Sequence, residues 1–164
     1  MPIRDATEAD LATIVAIYND SIPGRMATAD TEPITVESRL NWLKAHSPRT
    51  YPLWVMESDS QIAGWLSFQP FYGRPAYYST AEISIYVAPE FCRRGVGKQL
   101  LQQAIAYSPA IQINTLLGFI FAHNEPSLKL FEKFNFSEWG YLPRVAELDG
   151  IERDVAILGL RVQF

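Results

Sequence analysis

The sequence has 164 residues, with 14 Lys and Arg against 18 Asp and Glu and a net charge of −4. Hydrophobic residues make up 48% and aromatics 13%, enough for a packed core and too much for a disordered chain. The acidic balance excludes the broad basic face of a general nucleic-acid binder, and a single cysteine, Cys92, rules out an internal disulfide and leaves no Cys-based metal site.

The opening "MPIRDATEAD" is too charged for a signal peptide, and no apolar run approaches the ~20 residues of a membrane span, so a cytoplasmic protein without a membrane partner is expected. Ile3 and Arg4 fit a short first strand. Thr7 is a helix cap with Asp10 in the first turn, and Leu11, Ile14, Val15 and Tyr18 follow the spacing of one buried helical face. Pro23 and Gly24 end that helix, "GRMATADTEP" reads as a loop, and a second helix is predicted from near Thr35, with Val36, Leu40 and Leu43 on one face. "PLWVMES" and "QIAGWLSF", separated by Asp59 and Ser60, predict a β-hairpin. A Pro- and Gly-containing loop, "QPFYGRPAYYST", leads into "AEISIYV", which alternates Ile83, Ile85 and Val87 with Glu82, Ser84 and Tyr86. After "EFCRRGVGKQLL", the residues Val96, Leu100, Leu101 and Ala104 suit a helix packed on a sheet. "TLLGFIFA" reads as a strand covered on both faces, Pro126 opens a short helix ending near Phe134, and "FSEWGYL" and "DVAILGLRV" supply two closing strands. The expectation is one α+β domain spanning residues 1–164, a mixed sheet with helices on both sides. Its central strand–loop–helix–strand unit has the order of a right-handed crossover.

The loop before that third helix concentrates Arg93, Arg94 and Lys98 around Gly95 and Gly97 in an otherwise acidic chain. It is not a P-loop, which would need Gly at Cys92 and Ser or Thr at Gln99. Nor is it the dinucleotide fingerprint, whose third glycine would fall on Leu100. Strand, glycines and helix start together present unpaired amides and a positive dipole end to an anion.

"CRRGVGK" resembles the Gln/Arg-x-x-Gly-x-Gly/Ala loop of the GCN5-related N-acetyltransferases, with Cys92 in the Gln/Arg place. "NEPSLKLF" resembles the Asn-x-x-Ala/Ser-x-x-x-Tyr element of the same superfamily, at Asn124 and Ser127, with Phe131 where the family's tyrosine acid stands. "AIYNDSI", "TADTEP", "FYGRPAY" and "AEISIYV" are similar to the phosphinothricin N-acetyltransferase group, so the likeness runs over essentially the whole chain. The resemblance implies a mixed, mostly antiparallel central sheet, acetyl-CoA as cosubstrate without a metal, a small amino acid as acceptor, and a homodimer. It implies that Tyr86 and Val87 pair by their backbones with the pantetheine arm. It also implies that Arg93, Arg94, Gly95, Val96, Gly97 and Lys98 hold the phosphates, and that Asn124, with Ser127 in its element, lies near the thioester end.

Glu82 is the catalytic candidate, because an amine attacks a thioester only when unprotonated and the resembling enzymes place a glutamate on this strand. From its local sequence alone Glu82 better suits a solvent-facing strand position, and only the resemblance reverses that preference; Asn124 equally suits a helix cap before Pro126. Arg74 matches a substrate carboxylate, and Tyr72, Tyr77 and Tyr78 fit either the acceptor pocket or the packing of their loop. Thr28, Asp30 and Glu32 occupy another candidate acceptor loop, and the four tryptophans read as core. Three functions stay open: acetylation of a small amino acid of the phosphinothricin or methionine sulfoximine/sulfone type; acetylation of a protein N-terminus, lysine or polyamine; and CoA binding without catalysis.

Overall fold

The computed structural model describes residues 1–162. Eleven elements follow in chain order: β1 (Ile3–Asp5), α1 (Leu11–Ser21), α2 (Leu40–Lys44), β2 (Leu53–Ser58), β3 (Gln61–Pro70), β4 (Thr80–Val87), α3 (Val96–Tyr107), β5 (Thr115–Phe121), α4 (Glu125–Lys133), β6 (Ser137–Leu148) and β7 (Ile151–Arg161). The strands form one seven-stranded sheet in the order β1-β2-β3-β4-β5-β7-β6. β4 and β5 run parallel, joined through α3; the other neighbours are antiparallel. The mixed, mostly antiparallel sheet expected from the sequence is therefore present. No helix among the described residues is long and apolar enough to cross a membrane.

Thr7 does begin the first helical segment, through a 3-10 turn (Glu8–Asp10) that runs into α1. The Asp10 carboxylate accepts from the Thr7 amide at 2.7 Å and from the Arg4 guanidinium at 2.8 Å, which ties β1 to the helix start. Asp59 and Ser60 both have positive φ, as the two-residue turn between β2 and β3 requires. The second helix is shorter than its spacing predicts. Thr35 caps Ser38, a 3-10 turn follows at Glu37–Arg39, and only Leu40–Lys44 is α-helical.

The two faces of the sheet carry different helices. α1 lies against β3 and β4 on one face, where the Trp65 indole N–H donates to the Ile14 carbonyl at 3.1 Å. α3 covers the other face of the same strands, approaching so closely at Gly64 that a Cβ there would lie 2.8 Å from Val96 Cγ1. α4 covers β5 on that side, with the Phe131 ring across Gly118. Between these layers Val55, Met56, Leu66, Phe68, Leu100, Leu101 and Leu116 are fully buried.

Candidate active site

The parallel ladder between β4 and β5 is short. It pairs Thr80 with Thr115, Ala81 with Leu116 and Glu82 with Leu117, and stops. β4 continues to Val87 with its other edge paired to β3 throughout, and β5 continues to Phe121 paired to β7. From Ile83 to Val87 the β5 side of β4 has no backbone partner among the described residues. The sheet is thus open at its centre, and Glu82 is the last paired residue before the opening. Its side chain shares the α1 face with Ser84 and Tyr86. It is half-buried, no cation pairs with it among the described residues, and burial pushes its carboxyl above the usual glutamate range.

The open edge leads to the glycine loop. A 3-10 turn at Pro89–Phe91 carries the chain off β4, and Arg93 (φ 64°) and Gly95 (φ 79°) then take left-handed conformations. Only at Gln99, whose amide reaches the Gly95 carbonyl at 3.0 Å, does the α3 ladder begin. The amides of Val96, Gly97 and Lys98 precede it, and no side chain caps them among the described residues. Arg93, Arg94 and Lys98 are exposed around them, with Arg94 lying 5.4 Å over the Phe91 ring. The two glycines have different tasks. A Cβ on Gly95 would meet only Gln99 Nε2, at 3.9 Å, so it is the left-handed turn that requires glycine. A Cβ on Gly97 would point at Leu130 Cδ2, 3.2 Å away, so its bareness lets α3 approach α4. Val96 is anchored in the core at 1% exposure and can offer only its amide. Cys92 is exposed and makes one weak contact, to the Ala88 carbonyl at 3.7 Å.

At the far end of β5, Asn124 is both cap and clamp. Its side-chain oxygen accepts from the Ser127 amide at 3.3 Å, and its nitrogen donates to the Met26 carbonyl at 3.0 Å. The neighbouring His123 bonds the Arg25 carbonyl at 2.8 Å, so the β5–α4 turn holds loop 24–33. Asn124 is buried, and one amide hydrogen and one oxygen lone pair of its side chain are left for any further partner. Ser127 contributes its amide to the cap. Phe131 is 5% exposed and meets Phe136 edge-to-face, 4.9 Å between centroids. Its ring belongs to the core beneath Gly118.

On the Glu82 face, between α1, α2 and β3–β4, lies a cavity of about 200 Å³. Gln69, the register partner of Glu82, and Ser84 line one end. Tyr18, Trp42, Trp65 and Tyr86 line the remainder, with Arg39 as the charged group among its lining. Tyr86 stacks on Trp65 (4.8 Å, 27°) and meets the Tyr18 edge at 5.0 Å. The Tyr18 hydroxyl bonds Asp30 and Thr28, and the Tyr86 hydroxyl donates to the Ala27 carbonyl at 3.2 Å. Burial raises both phenols, which stay neutral at any physiological pH. Thr28 and Asp30 thereby acquire a structural task that the sequence did not disclose. Trp42 and Trp65 prove to be wall as well as core. Arg74, Tyr72 and Tyr77 lie on the loop between β3 and β4, exposed (Tyr72 77%, Tyr77 42%), and do not line the cavity. The two rings stack around Phe71, so their present partners are each other.

Comparison with known proteins agrees with this architecture. The family model "Acetyltransferase (GNAT) family" matches residues 14–136. The Bacillus subtilis protein YwnH is 52% identical over 161 residues, covering 97% of this chain and 98% of YwnH. The L-methionine sulfoximine/L-methionine sulfone acetyltransferase of Pseudomonas paraeruginosa is 30% identical, covering 98% of this chain and 94% of its own length. Among solved structures, a GNAT superfamily phosphinothricin acetyltransferase from Sinorhizobium meliloti in complex with AcCoA superposes with a TM-score of 0.91 at 25% identity, over 98% of this chain and 87% of that one. The chain accordingly belongs to the acetyltransferase (GNAT) family and is an N-acetyltransferase of the phosphinothricin acetyltransferase-like group.

Proposed function

We propose that the protein transfers the acetyl group of acetyl-CoA to the α-amine of a small amino acid of the phosphinothricin or methionine sulfoximine/sulfone type, by direct attack. The observation that carries this reading is the gap between β4 and β5, which runs from the α3 loop to Glu82, whose register partner Gln69 and strand neighbour Ser84 line the 200 Å³ cavity. An extended pantetheine arm can satisfy the free backbone of Tyr86 and Val87 as an added strand does. The residues fit the rest of the cosubstrate as well. The unpaired amides of Val96, Gly97 and Lys98 suit its pyrophosphate, and Arg93, Arg94 and Lys98 its remaining phosphate. Asn124, with Ser127, would stand near the thioester end. Arg74, Tyr72 and Tyr77 would have to fold inward from their loop to reach the acceptor.

Acetyl-CoA supplies an acyl group activated as a thioester. Glu82 accepts one proton from the acceptor ammonium, and the freed nitrogen lone pair forms the new C–N bond as the C–S bond breaks. The nitrogen's second proton passes to water, which in turn protonates the thiolate. Burial raises the carboxyl, which makes its carboxylate a stronger base than that of a surface glutamate. Phe131 has no proton to give, so the departing thiolate is protonated by water; with thiol pKa values near 8.5, it leaves without an enzymic acid. The resemblance further suggests a cytoplasmic homodimer, and exposed Trp139, Val145 and Ile151 on the β6–β7 hairpin offer apolar surface for a second copy. Light scattering on the purified protein measures that directly.

The test is thiol release with L-phosphinothricin, methionine sulfone, polyamines and peptides in parallel, for wild type and Glu82→Gln. Turnover of the amino acids is expected, with kcat lowered about 10²–10⁴-fold in the variant, roughly 3–5 kcal/mol of barrier. The deficit should shrink toward high pH, where the amine arrives neutral. CoA binding without turnover of any amine would overturn the catalytic reading.

A further inference from the structure

Arg39 is the feature the proposed chemistry does not use. It closes the 3-10 turn at Glu37–Arg39, with its guanidinium carbon 5.4 Å over the Tyr18 ring and 5.6 Å over the Trp42 ring. Its one protein partner among the described residues is Asp30, at 3.7 Å, too long for a good hydrogen bond. Asp30 itself already accepts from the Tyr18 hydroxyl. A guanidinium carries five N–H donors in a planar fork, and here they border a cavity walled by aromatic rings.

We propose that Arg39 is the specificity residue that binds an anionic group at the far end of the acceptor side chain; this rests on the cavity being the acceptor site. Its position in the cavity separates this role from α-carboxylate binding. The amine must lie by Glu82, at the Gln69 and Ser84 end. Arg39 lies with Tyr18, whose ring meets Tyr86, four residues along β4 from Glu82. At about 3.3 Å per residue that is roughly 13 Å of strand. An α-carboxylate stays within one carbon of the amine, whereas a γ-phosphinate or γ-carboxylate extends two carbons further along the wall, toward the Arg39 end. Stacking on Tyr18 and Trp42 pre-orients the fork, and Asp30 keeps it from swinging out to water. Within the proposed acceptor type, Arg39 therefore favours the members that carry a negative, doubly accepting group two or three carbons beyond the α-carbon.

The experiment compares wild type, Arg39→Gln and Arg39→Lys with L-phosphinothricin and L-methionine as acceptors, by steady-state kinetics and by calorimetric titration of L-phosphinothricin in the presence of CoA. Arg39→Gln should raise KM and Kd for L-phosphinothricin by roughly ten- to a hundredfold, the loss of a charge-assisted hydrogen bond. The kcat, the KM for acetyl-CoA and the KM for L-methionine should each stay within about threefold. Arg39→Lys should recover part of the loss, because charge returns without the fork. An equal rise for both acceptors, or none for L-phosphinothricin, overturns the assignment. Should no amine turn over, the proposed activity falls, and the titration alone still decides whether Arg39 binds the anion.

Discussion

Gly95 and Gly97 stand two residues apart in one loop, yet the structure predicts opposite consequences for the same substitution. Gly95 has φ +79°, and a Cβ there makes only an ordinary contact with Gln99 Nε2 at 3.9 Å, so Gly95→Ala clashes with nothing but must hold a left-handed conformation. That costs an L-residue about 1–2 kcal/mol, a factor of five to thirty. If the loop keeps its shape without ligand, the loss falls on folding; if the loop relaxes, it falls on CoA affinity. The sum is the predicted quantity. Gly95→Asn, which tolerates this region better, should recover most of it. Gly97 is helical, and its Cβ would press Leu130 Cδ2 at 3.2 Å, the end of a half-buried side chain able to yield by a few tenths of an ångström. Against that, alanine gains up to about 1 kcal/mol over glycine in a helix. Gly97→Ala should therefore lie within about 1 kcal/mol of wild type, with CoA affinity within threefold. Urea unfolding and calorimetric titration with CoA measure both terms. A tenfold loss of CoA affinity in Gly97→Ala with an unchanged urea midpoint would refute this division and give the ligand the space now assigned to Leu130.

Phe131→Tyr places a hydroxyl in a core site 5% exposed, so it should lose about 1–3 kcal/mol in urea unfolding while kcat stays within a few-fold; a rise of tenfold or more would mean that the hydroxyl reaches the leaving thiolate. Burial lowers the pKa of His46, which is neutral in the fold and takes up a proton more readily when unfolded. The stability this contributes is present above about pH 6.5 and is lost as pH falls below it, so the drop in urea midpoint between pH 7.5 and 5.5 should be smaller in His46→Gln than in wild type. The raised carboxyl of Glu82 has the opposite sign. Its stabilising effect is confined to low pH and disappears as pH rises through its folded pKa, so Glu82→Gln should melt higher than wild type at pH 8 while turning over more slowly.

The alternation in "AEISIYV" and the apolar spacing after Gly97 were strong enough to place β4, α3 and the loop between them from sequence alone. Local signals of that kind survive because the same residues set both the backbone and the face it buries. The β6–β7 hairpin was seen only in part. β6 runs on past "FSEWGYL" through Pro143 to Leu148, with a register shift between Leu142 and Ala146 and Arg144 at positive φ. A proline ordinarily argues against a strand, but β6 is an edge strand, where its missing donor faces no partner. Asp149 and Gly150, both left-handed, are the turn signal that would have revealed the full hairpin. The cavity was not legible. Tyr18, Arg39, Trp42 and Trp65 come from α1, the 3-10 turn before α2, α2 and β3 and meet only through packing, and each alone looks like ordinary core or surface. Asn124 suited a helix cap and a cofactor contact equally from its sequence, and the fold shows the cap together with a second bond, to the Met26 carbonyl, that the sequence did not suggest.

With CoA in the gap between β4 and β5, as proposed, the enzyme's durability would depend on its substrate supply. Backbone amides from Ile83 to Val87 that face the gap have water as their only competitor-free partner, so they should exchange hydrogen readily in the free protein and slowly once an extended chain lies beside them. A ligand present at a hundred times its dissociation constant adds about 2.7 kcal/mol to folding stability, a sizeable fraction of what a domain of this size possesses. The central sheet would then be most secure where CoA is plentiful, and the first part to open when it is scarce.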